Sequence, residues 1–282
     1  MSIPKFCYMD TPQSEYLALE IDMRGRAFSE GSPDCNGYEL IDVIDAIEYA
    51  KIYYKDLILD SDVIFFESGS GGGGNALAIA GKFPDYFAAI NALYPISDYA
   101  EWYAGDEKGE FRNELDVWIG YPPGRNPEGY RSRSGVSLLS NLRSPIFIAH
   151  GANDLRVPVQ MSRRYKMQAE KLDKGHLVDY YEMAGVGNED HLGNITEAQK
   201  RELEIKKNRN LTCRRMPVEI PDKGEMVIGG YLVTKKFKIF LYGLDEFARL
   251  EYDLSKNFFR ITSKKRGSYS LEYKGLHRSG LF

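Results

Sequence analysis

The stretch FFESGSGGGGNALAIAGKFP, residues 65–84, constrains the fold of this 282-residue chain more than any other segment. A short apolar run leads into a glycine-dense turn, and a small-residue segment with helical character follows. The sequence SGSGG centred on Ser70 fits the G-x-S-x-G nucleophile elbow, with Ser68 in place of the first glycine. Glycines make room for a sharp strand-to-helix turn. Such a turn would present Ser70 at a helix N-terminus, where the Gly71 N–H is a natural oxyanion donor.

Two nucleotide-binding turns have a similar glycine-rich form but fit this segment less well. A P-loop ends in G-K-[ST], whereas Gly74 is followed by Asn75 and Ala76. A dinucleotide-binding G-x-G-x-x-G is partly matched by Gly69, Gly71 and Gly74, yet no acidic residue ends the next strand as that motif requires. A glycine turn with only a structural role is the remaining alternative to the elbow.

Apolar runs and helical segments alternate through the first part of the chain, which is typical of a parallel sheet with helices on both faces. Strands are predicted at residues 16–21, 63–66, 87–93, 145–150 and 176–183, and helices at 39–54, 75–82, 159–172 and 197–208. We therefore expect an α/β fold in which successive strands share one sheet.

Residues 98–141 interrupt this alternation and are too long for a plain connection. They contain Trp102, Trp118 and Tyr121, together with the turn-rich sequence YPPGRNPEG. Insertions of this kind often form lids or substrate walls, so these three aromatic residues are candidates for contact with a substrate. A structural helical excursion explains the same segment equally well.

The end of the chain has a different character. Short segments rich in β-branched and aromatic residues alternate with Gly, Asn, Asp and Lys, which predicts a small antiparallel β unit. Residues 206–282 have 17 Lys and Arg against 8 Asp and Glu, whereas residues 1–205 have 20 against 33. We predict an α/β domain at 1–205, with its insertion at about 98–141, and a basic β-rich unit at 206–282.

A serine becomes an effective nucleophile only with a base and a residue that orients the base. Asp154 follows the apolar run PIFIAH, so it would lie at the same edge of the sheet as the elbow. Its alternative role is to cap a turn. His191 follows the next predicted strand, and His150, His176 and His277 are less suitably placed. We predict Ser70, Asp154 and His191 as nucleophile, acid and base.

With these residues identified, the chain resembles the prolyl oligopeptidase-like branch of the α/β-hydrolases. The similar stretches are ALEIDMRGRAFSEG, SGSGGGGNALAIAGKFPDYF, SPIFIAHGANDLRVP and HLVDYYEMAGVGNEDH, which fall within about residues 16–205. The resemblance implies hydrolysis of peptides or esters through an acyl-enzyme. It maps the nucleophile to Ser70, the acid to Asp154 and the base to the loop that contains His191.

Two departures from the family pattern bear on activity. The family's base usually follows G-x-G, and here Asn188 stands at that place, three residues before His191. An Asn cannot accept the serine proton at neutral pH. We also expect the sheet to lack the fold's first strands, together with the region that usually supplies a second oxyanion donor. The basic C-terminal β unit, a homo-oligomer or a partner chain could then cover the exposed sheet edge.

The resulting prediction is a serine hydrolase, a peptidase or an esterase, that needs no cofactor or metal. The alternative is a catalytically impaired hydrolase-like protein whose basic β unit binds a glycan or a protein partner; a solvated basic face is the simpler interpretation of that unit. No segment is apolar enough to span a membrane, and nucleic acid is not an expected partner. The three cysteines, Cys7, Cys35 and Cys213, match no disulfide framework, so a cytoplasmic location is expected.

Overall fold

A four-stranded parallel sheet organises the first part of the molecule. The structure, a computed structural model, describes residues 16–212, 214 and 216–282. The strands follow one another in the sheet in chain order, as β1 (Phe65–Gly69), β2 (Ala89–Leu93), β3 (Ile146–Gly151) and β4 (Val178–Met183). Because the strands are parallel, their carboxyl ends meet at one edge, and the loops that leave β1, β2 and β3 lie side by side there.

Helices connect the strands and cover the sheet. They are α1 (Glu39–Tyr53), α2 (Gly71–Lys82), α3 (Tyr99–Gly105), α4 (Arg112–Leu115), α5 (Pro127–Arg133), α6 (Gly135–Leu138), α7 (Gln160–Lys171) and α8 (Glu197–Thr212). A π-helical turn, Asp116–Gly120, continues α4. The predicted insertion is thus a group of short helices, α3 to α6. No helix in the described part of the chain is long and apolar enough to cross a membrane.

The main core forms around α2, in which residues 76–81 are small or apolar and buried. A helix that is apolar on all sides is stable only inside a protein, and α2 accordingly lies between the sheet, α6 and the C-terminal strands. Phe87, just before β2, and residues of α1, β2, β3 and α7 complete this cluster, among them Leu40, Val43, Ile90, Ile146, Ile148 and Tyr165.

The prediction of a strand at residues 16–21 is wrong. No strand is assigned to these residues, and β1 is the outermost strand of the parallel sheet within the described chain. Leu17 and Leu19 are nearly half exposed, while Ile21 packs against the core. An alternating pattern favours a strand, but the strand forms only where a neighbouring strand pairs with it.

The C-terminal part forms a seven-stranded antiparallel sheet in the order β11-β10-β7-β6-β5-β8-β9. Its strands are β5 (Lys223–Gly229), β6 (Tyr231–Val233), β7 (Phe237–Leu241), β8 (Phe247–Asp253), β9 (Phe258–Thr262), β10 (Ser268–Tyr273) and β11 (Leu276–Leu281). Met226 and Ile228 face a core within this sheet, whereas Val227 packs on the main core. The predicted α/β class with a small antiparallel unit is confirmed.

Polar contacts fasten the antiparallel sheet to the helices beside it. The Asn141 side chain donates to Gly81 O (2.8 Å) and Val227 O (2.7 Å) and accepts from Val227 N–H (2.8 Å). The Tyr231 hydroxyl donates to Gly37 O (2.7 Å). These buried groups are satisfied only when the two parts are together, so separating the parts would leave polar atoms without partners.

Lys82, the last residue of α2, is buried at the same junction. Its ammonium group donates to Gly229 O (2.5 Å) and lies 4.2 Å from the centroid of the Tyr231 ring. Burial, with the nearby charge of Arg133, holds the Lys82 pKa well below its usual range. The contact therefore joins the helix that begins beside Ser70 to strand β5 of the antiparallel sheet.

Helix α8 packs against the parallel sheet rather than against the antiparallel β unit. Leu203 packs with Phe147 in a small cluster, and the Asn210 side chain donates to Ile90 O (3.0 Å). The predicted boundary at residue 205 falls inside this helix, which runs to Thr212. The division into two domains stays a prediction.

Asp85 gives the stability of this junction a pH dependence. Its buried carboxylate accepts the Lys235 N–H, at 3.1 Å from each oxygen, and burial raises its pKa to about 6. The folded state then binds this proton more tightly than the unfolded chain, whose Asp pKa is about 3.9. The contribution is most favourable below pH 4 and is lost as the pH rises through 6.

We expect Asp85→Asn to remove this pH dependence. Between pH 4 and pH 7 the unfolding free energy of the wild type should lose about 1–3 kcal/mol that the variant does not lose. Urea unfolding at several pH values measures the difference, and Asp179→Asn, at an exposed position of β4, is the matched control. Parallel pH profiles for the wild type and Asp85→Asn would contradict the prediction.

Candidate active site

Ser70 lies at the sharp turn between β1 and α2. Its backbone angles, φ 58° and ψ −124°, are unusual for a residue with a side chain. Ser70 N–H donates to Leu93 O (3.0 Å), and Ser70 O accepts from Gly74 N–H (3.1 Å). A Cβ on Gly73 would lie 2.7 Å from Leu93 O, so α2 can begin this close to β2 only with glycine there. Strain of this kind persists where the surroundings enforce it, and it is frequent at functional sites.

Asp154 follows β3 in a tight turn at the same edge of the sheet. Its Oδ1 accepts from Arg156 N–H (2.9 Å) and Val157 N–H (3.0 Å), which leaves Oδ2 directed at His191. Burial opposes ionisation of this carboxyl group. Hydrogen bonds from two imidazoles and a backbone N–H outweigh burial and hold the Asp154 pKa below its usual range.

The loop that contains His191 follows β4 and is fastened to the loop of the acid. Asn153 N–H donates to Val186 O (2.8 Å), and Leu155 N–H donates to Asn188 O (3.0 Å). These hydrogen bonds fix the loop of Asp154 and the loop of His191 relative to each other. The position of the histidine relative to the carboxylate is therefore set by backbone contacts as well as by side chains.

Asn188, which stands where the family pattern has its base, has a structural part in this loop. Its side-chain oxygen accepts from Asp190 N–H (2.7 Å), and its own N–H donates to Asp190 O (3.0 Å). Asn side chains often stabilise turns in this way. The turn leads the chain directly to His191. Although this histidine comes three residues after the position of the family's base, the loop conformation still brings it to the site.

The structure brings the three predicted side chains together. His191 Nδ1 lies 2.7 Å from Asp154 Oδ2, and His191 Nε2 lies 2.9 Å from Ser70 Oγ. With the proton on Nδ1, the imidazole donates to the carboxylate and its Nε2 accepts from the serine hydroxyl. A nucleophile, a base and an orienting acid within these distances can support acyl transfer.

Gly71, the predicted oxyanion donor, is the first residue of α2. Its N–H has no acceptor within the helix, because the first turn of an α-helix leaves its N–H groups unpaired. The residue is exposed at the same turn as the Ser70 side chain, and a Cβ there would meet nothing within 4 Å. A substrate carbonyl could therefore approach this N–H.

His150, the other histidine at this edge, is fully buried. Its Nδ1 lies 2.7 Å from Ser162 Oγ, its Nε2 lies 2.8 Å from Val157 O, and Nε2 is 3.4 Å from Asp154 Oδ2. Both ring nitrogens have partners within the protein. The residue packs beneath the acid and supports its loop.

Tyr94 is a residue of the site that sequence reasoning missed. Its ring stacks on the His191 imidazole, with centroids 4.3 Å apart and planes inclined by 8°. Its position in the sequence could have identified it. Tyr94 is the first residue after β2, and β2 lies between the strand that precedes Ser70 and the strand that precedes Asp154.

The three aromatic candidates for substrate contact lie in different surroundings. Trp102 donates through its indole N–H to Arg156 O (3.1 Å), which ties it to the loop of the acid. Trp118 packs under the Arg26 guanidinium group, 4.8 Å from the ring centroid. Tyr121 is largely exposed. Their roles in substrate binding stay predictions.

The segment between α3 and α4 also touches both functional loops. Lys108 pairs with Glu189 in the base loop (3.1 Å), and Glu110 pairs with Arg156 in the acid loop (3.0 Å). All four side chains are exposed, so each pair contributes little and is screened by salt. These two pairs add little to the attachment of the insertion, which is held to the acid loop by the Trp102 hydrogen bond and by a buried apolar cluster that includes Tyr130 and Val157.

Two further observations concern the cysteines and the capacity to bind a metal ion. Cys35 is a buried free thiol whose pKa is raised by burial, while Cys7 and Cys213 lie outside the described residues. Within the part of the chain that the structure describes, no group of three or more His, Cys, Asp or Glu side chains could hold a metal ion.

Solved structures share the fold of this site region. A puromycin-hydrolyzing peptidase from Mycobacterium tuberculosis has 23% identity and a TM-score of 0.53, with 64% of this chain and 27% of that chain covered. Pyrococcus horikoshii acylaminoacyl peptidase has 20% identity and a TM-score of 0.51, covering 65% and 28%. A putative dipeptidyl aminopeptidase IV from Bacteroides ovatus has 20% identity and a TM-score of 0.51, covering 62% and 22%.

The chain therefore spans about a quarter of the length of these structures. No protein with a curated description matches the sequence. The model of the prolyl oligopeptidase family matches residues 21–207, which include Ser70, Asp154 and His191. The resemblance seen in the sequence is thereby confirmed, and the chain belongs to the prolyl oligopeptidase family.

Proposed function

We propose that this protein is a serine hydrolase that cleaves peptide or ester bonds through an acyl-enzyme. The observation that supports this most is the position of His191, which lies within hydrogen-bond distance of both Ser70 Oγ (2.9 Å) and Asp154 Oδ2 (2.7 Å). A merely structural histidine needs no such pair of partners. A general base needs both: one partner to deprotonate and one to orient it.

The proposed reaction begins when Ser70 Oγ attacks the substrate carbonyl carbon and its proton passes to His191 Nε2. Asp154 stabilises the imidazolium ion that forms, and the Gly71 N–H donates to the developing oxyanion. The imidazolium then protonates the leaving group, which departs and leaves an acyl group on Ser70. Water activated by His191 attacks this ester, releases the acid and restores the serine hydroxyl.

The depressed pKa of Asp154 supports its part in this scheme. Because the carboxyl group remains ionised at neutral pH, it can accept the Nδ1 proton and offset the positive charge that His191 gains. Hydrogen bonds from two backbone N–H groups hold its other oxygen. The acid is therefore fixed before the substrate arrives.

The structural relatives suggest the substrate class. They are described as a puromycin-hydrolyzing peptidase, an acylaminoacyl peptidase and a putative dipeptidyl aminopeptidase. We accordingly propose short peptides or aminoacyl amides as substrates, with esters as the simpler test compounds. The site is open at Gly71, which suits an acyl group presented from solution.

A catalytically impaired binding protein is the alternative, and three features favour it: the truncated sheet, Asn188 and the basic β unit. With Asn188 occupied in the turn that precedes His191, that reason for inactivity is weakened. We therefore retain hydrolysis as the proposed function.

Covalent labelling tests the proposal directly. A fluorophosphonate probe should label the folded protein at neutral pH, and peptide mapping should place the adduct on Ser70. Ser70→Ala should abolish labelling, while Ser68→Ala, two residues away, should retain it. Failure of the folded wild-type protein to label would overturn the proposal, as would an adduct on another residue.

A further inference from the structure

The Tyr94 side chain lies beside both the nucleophile turn and the base. Tyr94 is the first residue after β2, which pairs with β1 on one side and β3 on the other. The loops of Ser70 and Asp154 therefore flank it. Its ring is stacked against the His191 imidazole, with centroids 4.3 Å apart and planes inclined by only 8°.

The backbone of Tyr94 is held in a conformation that its side chain disfavours. Its φ of 38° lies in the left-handed region, where bulky residues are uncommon. Tyr94 N–H donates to Ala149 O of β3 at 2.7 Å, and Pro95 follows directly. Tyr94 is strained, is fixed by its neighbours and faces a candidate base. This combination suggests that the orientation of its ring is functional.

The Tyr94 ring also packs closely against the backbone of the nucleophile turn. A Cβ added to Gly69 would lie 2.7 Å from Tyr94 Cε2 and 2.9 Å from the hydroxyl oxygen. The ring is thus placed between the backbone that precedes Ser70 and the plane of the His191 imidazole. Burial raises the pKa of Tyr94, so the ring faces the imidazole as a neutral phenol.

We propose that Tyr94 is a positioning residue that holds the imidazole plane of His191 in the orientation needed for proton transfer. Rotation about the bond from Cβ to the ring would turn both ring nitrogens away from their partners, and a parallel ring at 4.3 Å opposes that rotation. The π face also favours the imidazolium ion that the reaction forms. This inference rests on the proposed function for its catalytic consequence, but the stacking itself does not.

Simple packing is the competing explanation, and two substitutions separate it from positioning. Tyr94→Phe keeps the ring and removes the hydroxyl group. Tyr94→Leu keeps an apolar side chain and the same backbone demand but removes the aromatic face. A packing role predicts similar behaviour for the two variants, whereas positioning predicts that Phe rescues what Leu loses.

Nuclear magnetic resonance of the histidine ring protons tests the stacking without any substrate. In the wild type, the ring current of Tyr94 should move the His191 signals upfield, and His191→Ala identifies them. We expect Tyr94→Phe to preserve that shift and Tyr94→Leu to abolish it. An unchanged His191 spectrum in Tyr94→Leu would overturn the inference even if the protein has no hydrolytic activity.

Kinetics test the consequence. We expect Tyr94→Leu to lower the fluorophosphonate labelling rate and kcat by about 10- to 100-fold with little change in KM, because a base displaced from its reacting partner loses rate rather than binding. Tyr94→Phe should stay within about threefold of the wild type. Wild-type rates in Tyr94→Leu would overturn the positioning role, and so would equal losses in both variants. An unlabelled wild type would overturn the proposed function instead.

Discussion

We expect His191→Ala to lower kcat by about 10⁴- to 10⁶-fold on any ester or peptide that the wild-type protein hydrolyses. The imidazole is the only described group that contacts both Ser70 Oγ and Asp154 Oδ2. Without it, no base lies beside the serine hydroxyl, and an alcohol is a weak nucleophile at neutral pH. Initial rates with an activated ester and a peptide amide measure the loss.

The matched control for this prediction is His176→Ala. His176 is exposed before β4, so its loss should leave kcat and KM near the wild-type values. Circular dichroism confirms that both variants are folded. If His191→Ala retained more than about 1% of the wild-type kcat, the base would have to be another residue, and the displaced-loop interpretation of Asn188 would fail.

The second large effect should be on stability rather than on rate. We expect Tyr231→Ala to lower the free energy of unfolding by about 3–5 kcal/mol, the usual cost of removing a buried aromatic side chain. Tyr231 is 1% exposed, packs against Phe83 and Phe240, and lies beside the Lys82 ammonium group. Its hydroxyl also donates to Gly37 O. Urea unfolding followed by fluorescence measures the change.

Tyr242→Ala is the control, because this tyrosine directly follows β7 of the same sheet but is 86% exposed. Its removal should change stability by no more than about 0.5 kcal/mol. Tyr231→Phe should cost about 1 kcal/mol, since it loses only the hydroxyl bond to Gly37. A Tyr231→Ala protein as stable as the Tyr242→Ala protein would show that the β unit is not packed as described.

The sequence predicted the parts of the site that local chemistry determines. The glycine turn around Ser70 and the acidic residue after an apolar strand each follow from short stretches in which residue type and position are closely linked. His191 could be chosen because few histidines were available. What the sequence left open was whether its loop reaches the serine, since that depends on contacts such as Leu155 N–H to Asn188 O between distant segments.

The features that escaped prediction are those that depend on which elements become neighbours. Tyr94 stacks on His191 across about a hundred residues of sequence, and no local pattern marks such a contact. The strand predicted at residues 16–21 has the right alternation but no partner beside it in the described chain. The burial of Lys82 against Gly229 also follows from packing between distant parts, whereas a lysine in sequence is usually a surface residue.

Helix α2 connects these observations. It has 12 residues, which makes it about 18 Å long, with Ser70 just before its first residue and the buried Lys82 as its last. A fragment that ends before β5 would expose that lysine and the part of the helix that packs against β6. We therefore expect the parallel sheet to fold poorly when the antiparallel strands are removed. We also expect substitutions in those strands to change the position of Ser70 through helix α2.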